Sequence, residues 1–215
     1  LRWSVQADGQ VCYCPNTIGA FRRWLDARHG GLAGLSAAWQ RRYVSWDDVM
    51  PGKRFARPYT DMMEFQRFLM ERSALHMKAR ATAMRAGDGK HLLSAHGAGP
   101  SIQCGGSPNS EHAVERGNDW QHAEHLDGYG CSHFPFWGDG FDETGFGIRV
   151  ESTRSAARGK VVWVSELQGG SARNGIMAHR SVPAGPQQRW VANSMARGAK
   201  AVIFWCWRDE FFGRE

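Results

Sequence analysis

The sequence predicts an α/β protein in which strands and helices alternate as in part of a (β/α)8 TIM barrel. Three observations lead to this fold class. Short runs that indicate strands recur near residues 91, 127, 160 and 200, at intervals of 33 to 40 residues, and the runs near 160 and 200 are apolar and β-branched. Stretches with helical periodicity separate them, as parallel strands joined by crossover helices require. A glycine stands just ahead of each of the last two runs, where it would end the preceding helix.

Four β/α units would make half of an eight-stranded barrel, or most of a doubly wound sheet. A doubly wound sheet that binds a dinucleotide carries a Gly-x-Gly-x-x-Gly turn, and a P-loop protein carries a Walker loop. Neither motif follows any of the four runs. This absence favours the barrel, and we interpret residues 1–215 as a fragment of a barrel catalytic domain.

The chain before the first strand is predicted to be largely helical. From Pro15 onward, apolar residues at three-to-four spacing indicate a helix that Gly30 ends. A second short helix follows over residues 32 to 39. The aromatic loop over residues 40 to 58 is long enough to have a function of its own. Tyr43 in this loop is a candidate sugar-binding residue.

A long helix is predicted to begin at Thr60 or Asp61 and to end near Gly87. Its buried side is predicted to carry Met62, Phe65, Leu69 and Leu75. Methionine commonly fills gaps in cores, and it is assigned this role at four positions along the helix. They are Met62, Met63, Met70 and Met77.

The run from Lys160 to Gly170 carries the principal candidate for chemistry. Its apolar, β-branched residues indicate a strand buried on both faces, which is typical of a parallel sheet. Glu166 stands at the carboxyl end of this strand. In β/α barrels the catalytic groups lie at that end of the strands. Glu166 is therefore the candidate catalytic carboxylate, and the alternative is a glutamate that merely begins a surface loop.

The ends of the other predicted strands carry histidines and aromatic residues. A carboxylate among aromatic rings is typical of a sugar site, because rings stack on pyranose faces and the carboxylate stabilises an oxocarbenium-like centre. The alternative is that each aromatic residue belongs to the barrel core. The strand-end residues are His96, Ser132, His133, Phe134, Trp137, Trp205, Trp207 and Arg208.

Composition excludes several other classes. The net charge is +6, but the arginines are scattered along helices and form no basic tract interleaved with aromatics, so no nucleic-acid partner is expected. No apolar run approaches a membrane span, and no membrane association is expected. The five cysteines form no disulfide framework, and Cys131 and Cys206 lie within predicted strands as buried thiols. This favours the cytoplasm without assigning a compartment.

Several segments resemble glycoside hydrolase family 42, best known for β-galactosidases, in the same order along nearly the whole chain. Cys12-Tyr-Cys-Pro15 and the following helices resemble the stretch after the fourth strand of that family's barrel. Ser165-Glu-Leu-Gln-Gly-Gly170 resembles the loop that bears its nucleophile. Gly198-Ala-Lys200 through Phe204-Trp-Cys-Trp-Arg208 resembles its eighth strand. The resemblance implies the C-terminal half of the barrel, about strands five to eight.

The resemblance also implies roles for individual residues. Glu166 would be the nucleophile of a retaining reaction, and Glu215 would accept a sugar hydroxyl. The family's acid/base follows an asparagine at the end of strand four, and no Asn-Glu pair precedes Cys12. Asp8 is the nearby carboxylate within the chain. The alternative, which we favour, is an acid/base upstream of Leu1.

No metal or other cofactor is expected. Some family members bind zinc through a Cys-x-Cys-x-x-Cys cluster, but Thr17 stands at the third position here. Tetrahedral zinc needs four ligands, which Cys12 and Cys14 cannot supply. His122, Glu124 and His125 could suggest a second metal face, and we interpret them as a solvent-exposed helix face.

The resulting hypothesis is a retaining glycoside hydrolase that cleaves terminal β-galactosides or related oligosaccharides. A different glycosidase specificity, such as arabinopyranosidase, is one alternative. A catalytically inactive sugar-binding protein is another, because the Asn-Glu pair is missing. The resemblance implies a homotrimer for the parent enzyme. Both ends of the sequence look cut, and the 215 residues by themselves are expected to be inactive.

Overall fold

The computed structural model of the chain describes residues 12–52, 58–97, 117–135, 143–169 and 182–205. The first part is helical: α1 spans Pro15–His29, α2 spans Leu32–Trp39, a 3₁₀ helix spans Trp46–Asp48, and α3 spans Thr60–Gly87. Gly30 ends α1 with φ 68°, a left-handed conformation that glycine adopts without strain, as predicted.

The remainder alternates strands and helices. The strands are β1 (Ser94–Gly97), β2 (Gly128–His133), β3 (Val161–Gln168) and β4 (Ala201–Trp205). The helices among them are α4 (Asp119–Ala123), α5 (Glu143–Ala157) and α6 (Ala184–Ala196). The strands form one sheet in the order β1-β2-β3-β4, and every pairing is parallel. The prediction of four parallel strands with flanking helices, as in part of a (β/α)8 barrel, is confirmed.

A cluster of aromatic and aliphatic residues holds α1, α2 and α3 together. Phe21 of α1 lies edge-on against Phe65 of α3, with 5.0 Å between the ring centroids. The side chains of Leu25, Leu35 and Val49 are fully buried in the same cluster. In α1 and α3, the apolar residues spaced three to four positions apart lie on the helix faces that are buried in this cluster, as the spacing predicted.

The sheet buries one of its faces against the helices. Tyr129 and Cys131 of β2 lie in a core with Ala156 and Ala157 of α5, and Val164 of β3 packs with α5 and α6. We call this side of the sheet the helix layer. Cys131 is a buried thiol, as predicted, whereas Cys206 lies outside the described residues.

Two predictions for α3 are wrong. Leu75 and Met63 are 62% and 66% exposed, although both were expected to be buried. The buried positions include Ala74 and Ala81, which are seven residues apart and share one side of the helix. Leu75 directly follows Ala74, and one residue turns an α-helix by about 100°. Hydrophobicity alone therefore placed Leu75 on the wrong side. No helix in the described ranges is long and apolar enough to cross a membrane.

Candidate active site

Glu166 reaches the open face of the sheet because β3 contains an extra residue. Cys131 pairs with Val164, yet the next pair is Ser132 with Glu166, so Ser165 has no partner on β2. Strict alternation would direct Glu166 to the same side as Val164, which is buried in the helix layer. An extra residue of this kind reverses which face of the sheet each of the following side chains points to. Glu166 is thereby brought to Ser132, and Leu167 takes the buried position.

The Glu166 carboxylate belongs to a hydrogen-bonded network with two other side chains, Ser132 and His96. Ser132 Oγ lies 2.5 Å from Glu166 Oε2, and His96 Nε2 lies 2.7 Å from Ser132 Oγ. His96 Nε2 is 3.6 Å from Glu166 Oε2. The Glu166 side chain is 20% exposed and that of His96 is 38% exposed. The carboxylate is therefore held in place yet open to a ligand, at the carboxyl ends of β1, β2 and β3.

Close packing of β2 against β3 supports this arrangement. A Cβ at Gly130 would lie 1.8 Å from Ser165 Oγ and 2.7 Å from the carbonyl oxygen of Trp163. Only glycine leaves room there for the side chain of the extra residue. Gly130 thus accommodates the irregularity that brings Glu166 to Ser132.

His133 ends β2, but its ring contacts Phe146 of α5 and is not part of the network around Glu166. The two rings meet edge to face, with 5.3 Å between the centroids. Burial, followed by the nearby positive charge of Arg149, lowers the pKa of His133 to about 3. Neither ring nitrogen has a hydrogen-bond partner among the described residues. Its assignment as a sugar-binding residue stays a prediction without support from this geometry.

The other predicted site residues divide into three groups. Trp205 ends β4 at the same edge of the sheet, and its carbonyl accepts a hydrogen bond from Gly169 N–H at 2.8 Å. It is 37% exposed, so its ring is available for contact. Tyr43 packs against Trp39 in the helical cluster, and the structure does not bring it to Glu166. Five predicted residues lie outside the described ranges: Asp8, Trp137, Trp207, Arg208 and Glu215.

The thiols of Cys12 and Cys14 are exposed and share one hydroxyl group. Cys12 Sγ is 3.0 Å and Cys14 Sγ is 3.3 Å from Thr17 Oγ1, which also accepts a hydrogen bond from Arg72 at 3.1 Å. Within the described ranges, no three His, Cys, Asp or Glu side chains come together in a way that could hold a metal ion.

The interpretation of His122 as part of a solvent-exposed face is wrong. His122 is buried, and its Nε2 lies 2.9 Å from Ser73 Oγ of α3. Burial lowers its pKa, opposed by the carboxylate of Asp119. Because α4 has only five residues, its helical pattern was too short to show which side packs on α3.

Sequence reasoning named Ser132 at a strand end but gave it no role. The signal was its position at the same sheet edge as His96 and Glu166. The contact between Ser132 and Glu166 depends on the extra residue in β3, and no local sequence pattern predicts that residue.

Together, the four-stranded parallel sheet and its flanking helices define part of a β/α barrel, and the candidate site lies at the carboxyl edge of this sheet. The chain belongs to glycoside hydrolase family 42, the β-galactosidase family, which it matches over residues 2–215.

Known proteins of this family resemble the chain throughout its length. It is 24% identical to a β-galactosidase of Arthrobacter sp over 94% of the chain and 28% of the relative. It is 25% identical to a β-galactosidase of Thermus thermophilus over 95% of the chain and 33% of the relative. The chain thus spans about a third of the length of the curated relatives it matches.

Solved structures show the same fold. The β-galactosidase of the haloarchaeon Halorubrum lacusprofundi superposes with a TM-score of 0.74 at 23% identity, over 94% of this chain and 32% of that chain. The β-amylase catalytic domain of Paenibacillus polymyxa superposes with a TM-score of 0.64 at 13% identity, over 94% of this chain and 51% of that chain.

Proposed function

We propose that the chain supplies the nucleophile-bearing part of a retaining glycoside hydrolase that cleaves terminal β-galactosides. The observation that carries the proposal is the position of Glu166, a partly exposed carboxylate at the carboxyl end of β3, held by Ser132. Membership of the β-galactosidase family and the names of the relatives support the substrate class.

In the proposed mechanism Glu166 attacks the anomeric carbon and forms a glycosyl-enzyme. A second carboxyl group, about 5–5.5 Å away in retaining enzymes, protonates the leaving oxygen and then activates the water that releases the sugar. The favoured candidate for this second group is a carboxylate outside the 215 residues, and Asp8 is the alternative within the sequence. Trp205 would offer its ring to the apolar face of the sugar.

The test is covalent trapping with 2-deoxy-2-fluoro-β-galactosyl fluoride, applied to the whole protein as expressed from its gene. The 2-fluorine slows both chemical steps, and fluoride leaves without needing a general acid. Trypsin releases residues 161–173, in which Glu166 is the only side chain with a carboxylate. A mass increase on this peptide, absent in Glu166→Gln, is expected.

The alternatives give different results in the same experiment. The corresponding arabinopyranosyl fluoride lacks the 6-hydroxymethyl group, and faster labelling with it would favour an arabinopyranosidase. A protein that binds galactose without any labelling of residues 161–173 would be an inactive sugar-binding protein. Label on a different peptide would remove Glu166 from the nucleophile role.

A further inference from the structure

The hydrogen bonds around Glu166 have only one consistent direction when the carboxylate is ionised. A carboxylate accepts and cannot donate, so Ser132 must give its single hydroxyl proton to Oε2. Ser132 then has no proton left for His96, and the 2.7 Å contact requires that His96 Nε2 carry a hydrogen and donate it. The chain of donors therefore runs from His96 through Ser132 to Glu166.

His96 makes its hydrogen-bonded connection to Glu166 through Ser132 and not by a direct hydrogen bond. The 3.6 Å between His96 Nε2 and Glu166 Oε2 exceeds hydrogen-bond distance. The Ser132 hydroxyl bridges the two groups, and Ser132 is buried while His96 remains partly open to solvent. A hydroxyl that also accepts a hydrogen bond is polarised and donates more strongly.

We propose that Ser132 is a positioning residue for Glu166, and that His96 sets the direction of the Ser132 hydroxyl. The Ser132 hydrogen bond fixes Oε2, and among the described residues no hydrogen bond engages Oε1, which is the oxygen proposed to attack. This inference rests on the proposed nucleophilic role of Glu166. Three rotatable bonds join the Glu166 carboxylate to an irregular strand, so a contact such as this one is needed to hold it in a single geometry for attack.

The kinetic test compares Ser132→Ala with Ser132→Thr in the whole protein, using the 2-fluoro galactosyl fluoride. A hydrogen bond to a charged group contributes enough that its loss should slow labelling of Glu166 about 10- to 100-fold at saturating reagent. The concentration for half-maximal rate should change little, because Ser132 holds the nucleophile and not the sugar. Ser132→Thr retains the hydroxyl and should restore most of the rate.

A His96→Phe variant should lose part of the rate, and His96→Gln, whose amide can donate to Ser132, should lose less. If wild type is labelled at Glu166 and Ser132→Ala is labelled equally fast, the positioning role is wrong while the proposed function stands. If wild type is not labelled at Glu166, the proposed function itself fails, and with it the positioning of a nucleophile.

Nitrogen-15 NMR of histidine-labelled protein tests the direction of the hydrogen bonds without catalysis. His96 should carry its hydrogen on Nε2, and Ser132→Ala should shift the resonance of that nitrogen. A neutral His96 with its hydrogen on Nδ1 would overturn the assignment, whatever the labelling shows. Circular dichroism of each variant establishes that it is folded.

Discussion

Ser132 on β2 stands directly opposite Glu166 on β3, and its hydroxyl lies 2.5 Å from Oε2 of that carboxylate. The pairing exists because Ser165 is an extra residue between Val164 and Glu166. A regular strand would have turned the carboxylate into the helix layer, where an ionised group without a partner is costly. The irregularity therefore both exposes the carboxylate and supplies its hydrogen-bond partner.

Gly130→Ala should destabilise the protein by about 1–3 kcal/mol, because the new methyl group would meet Ser165 Oγ and the Trp163 carbonyl. Gly87→Ala is the matched control. Gly87 ends α3 and a Cβ there meets nothing within 4 Å, so this change should be neutral or stabilise by about 0.5–1 kcal/mol. Urea denaturation measures both. Equal stabilities for the two variants would contradict the close packing of β2 on β3.

The buried ring of His133 should make the protein less stable as the pH falls. Its pKa is about 3 when folded, below its ordinary value of 6.5, so between these values the unfolded chain takes up a proton that the folded chain does not. Stability should fall by about 1.4 kcal/mol per pH unit below 6.5, or about 2 kcal/mol at pH 5. The stability that the uncharged, buried ring of His133 contributes is fully present above pH 6.5.

Urea denaturation of wild type and His133→Phe at pH 7 and pH 5 isolates that contribution, because the remaining titrating groups are common to both proteins. The decrease between the two pH values should be smaller in the variant. If wild type and His133→Phe lost the same stability between pH 7 and pH 5, the ring of His133 would be protonated in the folded protein at pH 5.

Cys14 should react with iodoacetamide at neutral pH. The Thr17 hydroxyl lowers the pKa of Cys14 to about 7, with smaller contributions from the Thr17 amide, the Cys12 thiol and the Asn16 amide. Neither amide forms a capping hydrogen bond to the sulfur with full geometry, so the Thr17 hydroxyl is the main cause. The alkylation rate should rise to half its maximum near pH 7, because the thiolate is the nucleophile. The buried thiol of Cys131 should react only after unfolding.

Thr17→Val keeps the shape of the side chain but removes the hydroxyl, and should move the half-maximal rate of Cys14 to higher pH. Trypsin releases residues 3–22, which contain both Cys12 and Cys14, and fragmentation of this peptide assigns the label. A pH profile that is the same with and without the hydroxyl would remove Thr17 as the cause.

The 215 residues expressed alone are expected to be poorly soluble and to show no turnover of an aryl β-galactoside. In the described sheet β1 and β4 each have one neighbouring strand, and such edges invite aggregation. Apolar side chains on β4, including Ile203 and Phe204, are more than a third exposed. If the acid/base lies outside these residues, its absence costs about 10²–10⁴-fold in rate by itself. A soluble, active monomer would instead favour Asp8 as the acid/base.

The sequence by itself determined the order and type of the elements. Apolar spacing located α1, α3 and all four strands, since the side-chain periods of helices and strands are properties of the local backbone. The glycines before β3 and β4 indicated where the preceding helices end. Glu166 follows an apolar run, and this position predicted that it lies at the carboxyl edge of the sheet. These features need only neighbouring residues.

Tertiary structure decided which side chains meet. The extra residue in β3 is defined only against β2, and it determines that Glu166 faces Ser132 and not the helix layer. His133 and Leu75 show the same limit, because the first is buried against Phe146 and the second is turned outward by its place on α3. The physical reason is that strand register and the orientation of a packed helix are fixed by contacts between distant segments, whose free energy no local pattern contains.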